Sequence, residues 1–288
     1  MKNSRVNITS TLSKRNIAIV GNNDGPILLY NSLKNLSGNV SFIGLQKKPS
    51  SKILNQYSEV FDTIPYMIGF NDESLAKYLK KKDKTKFLIN AFCNFKFKNI
   101  LNVIEVYNLH LSYLPEYRGR HPLHWAIING EKTHGVTIHR MDSNFDNGKI
   151  IWQKKVKISI DDSAKSLRKK LMSLVEKDFY FITKDILCEN FSFIDNPKTK
   201  ATYAPRRFPK DNQIIDMKSA SDVFCLVNAL KDEISPAYYC DGDVKKYVRK
   251  SEYVNIRNNQ LENKVNTSKH LYFKCLDGSI IKLYFEKN

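Results

Sequence analysis

Cysteine is scarce and patternless in this chain: Cys93, Cys188, Cys225, Cys240 and Cys275 are odd in number and include no C-x-x-C pair. That spacing argues against a zinc ligand set and against a disulfide framework, so no metal is expected, and it fits reduced thiols in a cytoplasmic protein. No apolar run reaches the roughly 20 residues that span a bilayer. Residues Met1 to Arg15 are polar and lack the apolar segment of a secretory signal. The expectation is a soluble, cytoplasmic protein with no membrane partner. Two common fingerprints are also missing. The turn after the first apolar run is Gly21-Asn-Asn-Asp-Gly-Pro26 and not G-x-G-x-x-G, so a dinucleotide turn is absent. No G-x-S-x-G occurs, so a serine nucleophile elbow is absent too.

Acidic residues are outnumbered. Against 47 Lys and Arg stand 29 Asp and Glu, a net charge of +18 over 288 residues. A polyanionic partner, a phosphorylated small substrate and a merely lysine-rich composition all account for that balance. The lysines are scattered (Lys47 and Lys48, Lys80 to Lys82, Lys169 and Lys170, Lys245 and Lys246) and form no basic arm, which favours the last. Apolar residues at 42% and charged residues at 26% are ordinary for a folded globular chain.

What is present is an alternation of short apolar runs with helical segments. Asn16 to Val20, Val40 to Leu45, Phe87 to Phe92 and Val106 to Ser112 read as strands, with helices over Ile27 to Leu36 and Glu73 to Lys82. Trp125 to Asn129 ends a short helix at Gly130, and Val136 to Met141 and Lys149 to Ile158 read as further strands. Leu167, Leu171, Val175, Phe179, Ile182 and Ile186 recur at three and four residues and predict a long helix over Ser163 to Leu187, capped by Asp161 to Ser163. Such alternation predicts an α/β, Rossmann-like fold: a mostly parallel sheet with helices on both faces. After Asn190, Pro197, Pro205 and Pro209 mark a linker, Ala220 to Lys231 reads as a helix, and Asp241-Gly242 and Asp277-Gly278 signal two hairpins. We expect a catalytic domain over 1–200 and a small, mainly β domain over 201–288. The opening segment to Lys14 reads as loose.

Histidine is concentrated. His110, His121, His124, His134 and His139 are five of the six in the chain, and Trp125 and Trp152, the only tryptophans, fall there or just beyond. On a strand, Asn108 and His110 point to one face, because side chains alternate, and they sit where open α/β sheets place ligands, at a strand's C-terminal end. Asp146, in a loop between strands, is placed to close over them. An imidazole that moves a proton near neutral pH, an amide that donates to an oxyanion and a carboxylate that orients the imidazole and raises its pKa suit acyl transfer to an amine. Taken singly, each has a plainer role: a structural histidine, a turn cap, and a turn former in Asp-Asn-Gly. His121, His124 and His134 read as structural or surface residues, and His139 as a packing or supporting one.

The full run is Asn108-x-His110-x-Ser-x-Leu-Pro-x-Tyr-Arg-Gly119, Pro122-x-x-Trp-Ala-Ile-x-Asn-Gly-Glu131, Gly135-Val-Thr-x-His-x-Met-Asp142 and Asp146-x-Gly-x-Ile150. It resembles the formyltransferase family that uses N10-formyltetrahydrofolate, strongly over 85–160 and more weakly beyond. The resemblance implies that Asn108, His110 and Asp146 are catalytic and that N10-formyltetrahydrofolate is the co-substrate. It also implies that folate lies against Cys93, Asn94 and Phe95 and the loop Asp142, Ser143 and Asn144, with Arg120 on the folate side. The phrase Tyr117-Arg-Gly-Arg-His-Pro-Leu-His-Trp125 is most similar to the branch that formylates nucleotide-linked amino sugars. The expected partner is therefore an amino-dideoxy sugar, dTDP-linked, in surface glycan synthesis such as lipopolysaccharide O-antigen. No DNA partner is expected, and a homodimer is allowed. Methionyl-tRNA formylation is the alternative, favoured by net charge and a C-terminal β domain. Tyr113 inside Ser-Tyr-Leu-Pro and Ile215-Asp216-Met217 count against it. A non-catalytic binding module on the same scaffold is the third reading.

Overall fold

The computed structural model describes residues 15–56, 58–82, 84–254 and 267–286; the segment expected to be loose, up to Lys14, lies outside them. Short β-branched runs make the strands. In β1 (Asn16–Gly21), Ile17 to Val20 are wholly buried, as a strand covered on both faces requires. It is followed by α1 (Gly25–Asn31), β2 (Val40–Leu45), β3 (Tyr66–Ile68), α2 (Asp72–Leu79), β4 (Thr85–Ala91) and β5 (Glu105–His110). Then come α3 (Pro122–Ile128), β6 (Thr133–Arg140), β7 (Ile150–Lys157) and α4 (Ala164–Cys188). The first seven strands form one sheet in the order β3-β2-β1-β4-β5-β6-β7. The pairs β1/β2, β1/β4, β2/β3 and β4/β5 are parallel, and β5/β6 is antiparallel.

Contacts divide the chain into two compact units. One is Met1–Arg118, Gly135–Lys154 and Met172–Ala201; the other is Gly119–His134, Lys155–Leu171 and Thr202–Asn288. The first is built on the seven-stranded sheet. One face of that sheet packs Ala18, Val20, Phe42, Leu75, Leu88, Phe97 and Val106 into a single core. Burying each large apolar side chain there contributes roughly 2 kcal/mol. Asn71 and Ser74 cap α2 reciprocally, and the Asp72 carboxylate accepts from the backbone N–H groups of Lys98, Asn99 and Ile100. One carboxylate thereby ties a helix start to the loop that leads into β5.

The second unit holds α3, α5 (Ala220–Leu230) and a four-stranded antiparallel sheet of β8 (Ala237–Asp241), β9 (Val244–Tyr253), β10 (His270–Lys274) and β11 (Ile280–Phe285), in the order β8-β9-β11-β10. α3 buries Leu123, Ala126 and Ile127 and packs against α5, so it groups with the C-terminal strands although it precedes residue 200. The first hairpin pairs Asp241 with Val244 and turns on Gly242 and Asp243, one residue later than the Asp-Gly signal placed it. Gly242 has φ +56, which an L side chain rarely adopts.

Two expectations shift. The helix read over Ile27 to Leu36 stops at Asn31 and continues as a 3₁₀ segment, Lys34–Asn39, a common way to end a helix that lacks a glycine stop. The strand read to Ser112 ends at His110, because the chain turns toward Pro115. β3 was too short to be read from periodicity.

Candidate active site

Strand register builds the site. Across three adjacent strands Asn90 of β4 faces Asn108 of β5, and Asn108 faces His139 of β6. Directly opposed residues share a face and lie close enough to touch. Three polar side chains thus line up across the sheet, all buried: Asn90 at 4%, Asn108 at 8% and His139 at 1% exposure. His110, two residues on from Asn108, joins them at the strand end.

Asp146 arrives from the loop after β6. Its φ of +50 is left-handed, a conformation Asp tolerates better than most residues. One carboxylate oxygen, Oδ1, stands 3.2 Å from Asn108 Nδ2, 3.6 Å from His110 Nδ1 and 3.5 Å from His139 Nε2. The sequence-expected trio is therefore assembled around a single oxygen, with His139 as a fourth member.

The hydrogen bonds assign the protons. His139 Nδ1 lies 2.9 Å from Arg140 O, which can only accept, so Nδ1 carries the hydrogen and neutral Nε2 presents a lone pair. Asn108 Nδ2 donates to that lone pair at 3.1 Å and to Asp146 with its other hydrogen. Asn108 Oδ1 accepts from Asn90 Nδ2 at 2.7 Å. By the same logic His110 Nε2, 3.0 Å from Tyr117 O, carries a hydrogen, and its Nδ1 stands 3.6 Å from Asp146 Oδ1. A proton delivered between Nδ1 and Oδ1 would be shared by two bases already held in place. With Nε2–H and both Asn108 N–H groups engaged, a new oxyanion gains a donor only when one of these bonds is released.

The loop bearing Asp146 is braced. Asn196 Nδ2 donates to Asp146 O and Gly148 O, each at 3.0 Å. Arg118, 1% exposed, donates to Asn196 O and Oδ1 and to Asn147 Oδ1. Asn147 in turn donates to Asp142 Oδ2 at 2.9 Å. At Gly148 a Cβ would lie 1.8 Å from Arg140 O, so only glycine lets the loop pass this close to β6.

The residues expected at the folate divide. Asp142 and Ser143 line a cavity of about 460 Å³ in the first unit, together with Lys96, Phe97, Lys98, Leu101, Val106, Arg140 and Met141. Asn144 is exposed and donates its backbone N–H to Asp142. Cys93 donates its backbone N–H to Asn90, and burial pushes its thiol far above the usual range, so it stays protonated and is no nucleophile near neutral pH. Asn94 exchanges hydrogen bonds with Gln46. Phe95 packs on Phe70 and Phe97 in the core. Arg120 belongs to the second unit, exposed, its backbone N–H bonded to Ala204 O. In that unit His121 accepts from Arg207 N, and burial, then His124 and the nearby arginines, lower its pKa; His124 pairs with Glu233 at 3.1 Å.

Asn90, Arg118 and Asn196 went unread as site residues. Arg118 lies inside the Tyr-Arg-Gly motif and carried that signal. Asn90 and Asn196 carry none, because each reaches the site by sheet register or by a return of the chain.

The seven-stranded sheet thus presents an amide, two imidazoles and a carboxylate together at the end of β5. Residues 72–181, the segment that holds Asn90, Asn108, His110, His139 and Asp146, match the formyl transferase family model. Among particular relatives, the bifunctional polymyxin resistance protein ArnA of Wigglesworthia glossinidia brevipalpis is 40% identical over 150 residues, 51% of this chain and 22% of that protein. The chain thus spans about a fifth of that relative's length. In fold it is similar to WlaRD, a sugar 3N-formyl transferase solved in the presence of dTDP and 5-N-formyl-THF. The TM-score is 0.70 at 20% identity, covering 96% of this chain and 99% of that one. An N-formyltransferase from Helicobacter canadensis, in complex with folinic acid and dTDP-3-aminofucose, aligns with TM-score 0.70 at 18% identity, covering 94% and 100%.

Proposed function

We infer that this chain is an N-formyltransferase that moves a formyl group from N10-formyltetrahydrofolate to the amine of a nucleotide-linked amino-dideoxy sugar, dTDP-linked, in the cytoplasm and for surface glycan synthesis. The observation that carries this reading is the single Asp146 oxygen ringed by Asn108, His110 and His139 within the family-matched segment. The relatives solved with dTDP or a dTDP-amino sugar and a formylated folate favour the sugar substrate.

The cavity beside the site suits the co-substrate. Its lining is mixed: Phe97, Leu101, Val106 and Met141 are apolar, Lys96 and Lys98 offer cations for carboxylates, and Arg140 is paired with Glu105 at 3.1 Å. A flat heteroaromatic ring with an acidic tail is the chemistry such a lining accepts. Asp142 and Ser143 would hold the ring end. The co-substrate supplies the formyl group.

The protein's own residues do the rest. His110 Nδ1 and Asp146 Oδ1 take the proton that the attacking amine must lose, and a proton held there would return to the donor nitrogen as its bond to the formyl carbon breaks. Once His110 is protonated it pairs with Asp146, which frees an Asn108 N–H to meet negative charge developing on the carbonyl oxygen. Burial of all four side chains keeps water away and strengthens each interaction. In this reading residues 1–200 carry the chemistry, and 201–288 are the small C-terminal domain.

The test is incubation with N10-formyltetrahydrofolate and a panel of dTDP-, UDP- and GDP-amino sugars plus methionyl-tRNA, scored by mass gain. Gain on a dTDP-amino sugar is the expected result. The net charge of +18 keeps the tRNA reading in the panel. Formylation of tRNA alone, with affinity falling by orders of magnitude between low and moderate salt, would establish it instead.

A further inference from the structure

Asn90 is a buried amide in a strand whose neighbours, Leu88, Ile89 and Ala91, are apolar and buried. β4 already satisfies its backbone against β1 and β5, so the ladder does not require this side chain. Its two ends have fixed senses. Oδ1 accepts from the Cys93 backbone N–H at 3.1 Å, a group that can only donate, and Nδ2 therefore faces Asn108 and donates to its Oδ1 at 2.7 Å. The bond to Cys93 closes a turn around Phe92, whose φ of +73 is a strained conformation for an aromatic residue.

The orientation of Asn108 is otherwise poorly determined, since its oxygen and nitrogen have nearly the same shape. Only a nitrogen directed at His139 Nε2 and Asp146 Oδ1 puts donors against acceptors there. Asn90 supplies the matching donor on the opposite side. The chain Cys93 N–H to Asn90, Asn90 to Asn108, and Asn108 to His139 and Asp146 runs in one direction, and bonds in such a series polarise one another.

We propose that Asn90 is a positioning residue: it holds the Asn108 amide with its nitrogen toward Asp146 and couples that orientation to the segment after β4. Its kinetic test rests on the formyl-transfer reading above. Asn90→Asp separates positioning from turn closure, because a carboxylate still accepts from Cys93 but offers Asn108 no donor.

At neutral pH Asn90→Asp loses about tenfold or more in kcat, with KM for the amine changed by less than about threefold. Its rate relative to the parent rises as pH falls, because the buried acid regains a donating O–H when protonated and burial raises its pKa. Asn90→Ala, which removes the charge question, also loses kcat. In an Asn108→Ala background neither change costs more, as expected of residues acting through one another. Parental kcat in Asn90→Asp, or losses that multiply in the double variants, would overturn the proposal.

A second measurement needs no turnover. The Asn108 side-chain amide resonance, identified by its loss in Asn108→Ala, shifts in Asn90→Asp in the unliganded protein. An unmoved resonance contradicts the assignment even if the parent proves to have another substrate. Conversely, a parent that formylates nothing while the resonance moves sinks the functional reading and leaves the positioning role standing.

Discussion

The end of β5 and the C-terminal sheet are both dense in polar groups, and they use them in opposite ways. Around Asp146, the side chains of Asn108, His139 and Asn196 are buried and hydrogen-bonded to it or to one another, so each group's position is set by several neighbours at once. On β9, β10 and β11, Lys250 lies over Tyr284 and beside Glu252, and Lys282 over Tyr272 and Tyr284, all facing water. A buried polar network is costly to break because an orphaned group has no water to turn to. An exposed pair exchanges one hydration shell for another and contributes little. Geometry that chemistry can rely on is therefore found in the first region and not in the second.

The largest effects are expected at the carboxylate. Asn108→Ala, His110→Ala and Asp146→Ala each lose at least about a hundredfold in kcat, near 3 kcal/mol of barrier, in single-turnover formylation assays. A loss confined to KM would break the comparison by making this a binding cluster.

Next comes the brace. Arg118→Ala removes three charge-assisted donors from Asn147 and Asn196 and lowers unfolding free energy by about 3 kcal/mol in denaturant titration. Activity falls with it, because the Asp146 loop loses its support.

A smaller effect is expected at Asp162. Burial works against its charge, yet hydrogen bonds from Lys170, Ser159 and Ser166 outweigh burial and hold its pKa below the usual range. A depressed carboxyl stabilises the fold above its unfolded pKa of about 4 and loses that contribution as pH falls through the folded value. Asp162→Asn should lower stability above about pH 4 and converge on the parent as pH falls through the folded value, which flattens the acid limb. The smallest effect is at Lys250→Ala, which should leave melting temperature and activity at parental values.

The same contrast explains what the chain's letters disclosed. Alternating apolar runs announced the parallel sheet, because burial on both faces demands them. Asn108, His110 and Asp146 were legible because their spacing is carried within one continuous motif. From the sequence His139 is expected to be a packing or supporting residue, and the structure sets its Nε2 beside both Asn108 and Asp146. Its place depends on the antiparallel register of β5 with β6, which no local pattern encodes. Asn90 and Asn196 were hidden for the same reason. Phe95 shows the converse difficulty: an aromatic in a loop reads equally as a ligand platform or as core, and here it packs on Phe70 and Phe97.

The most direct trial of the account is the pH-rate profile of formyl transfer to a dTDP-amino sugar, measured for the parent and for Asp146→Asn. An amide in place of the carboxylate keeps the shape but cannot hold a proton with His110. The variant should lose at least about a hundredfold at every pH, together with the limb that reports the paired base. A variant that keeps the parental rate and profile would show that the carboxylate at the centre of this cluster has no part in the chemistry.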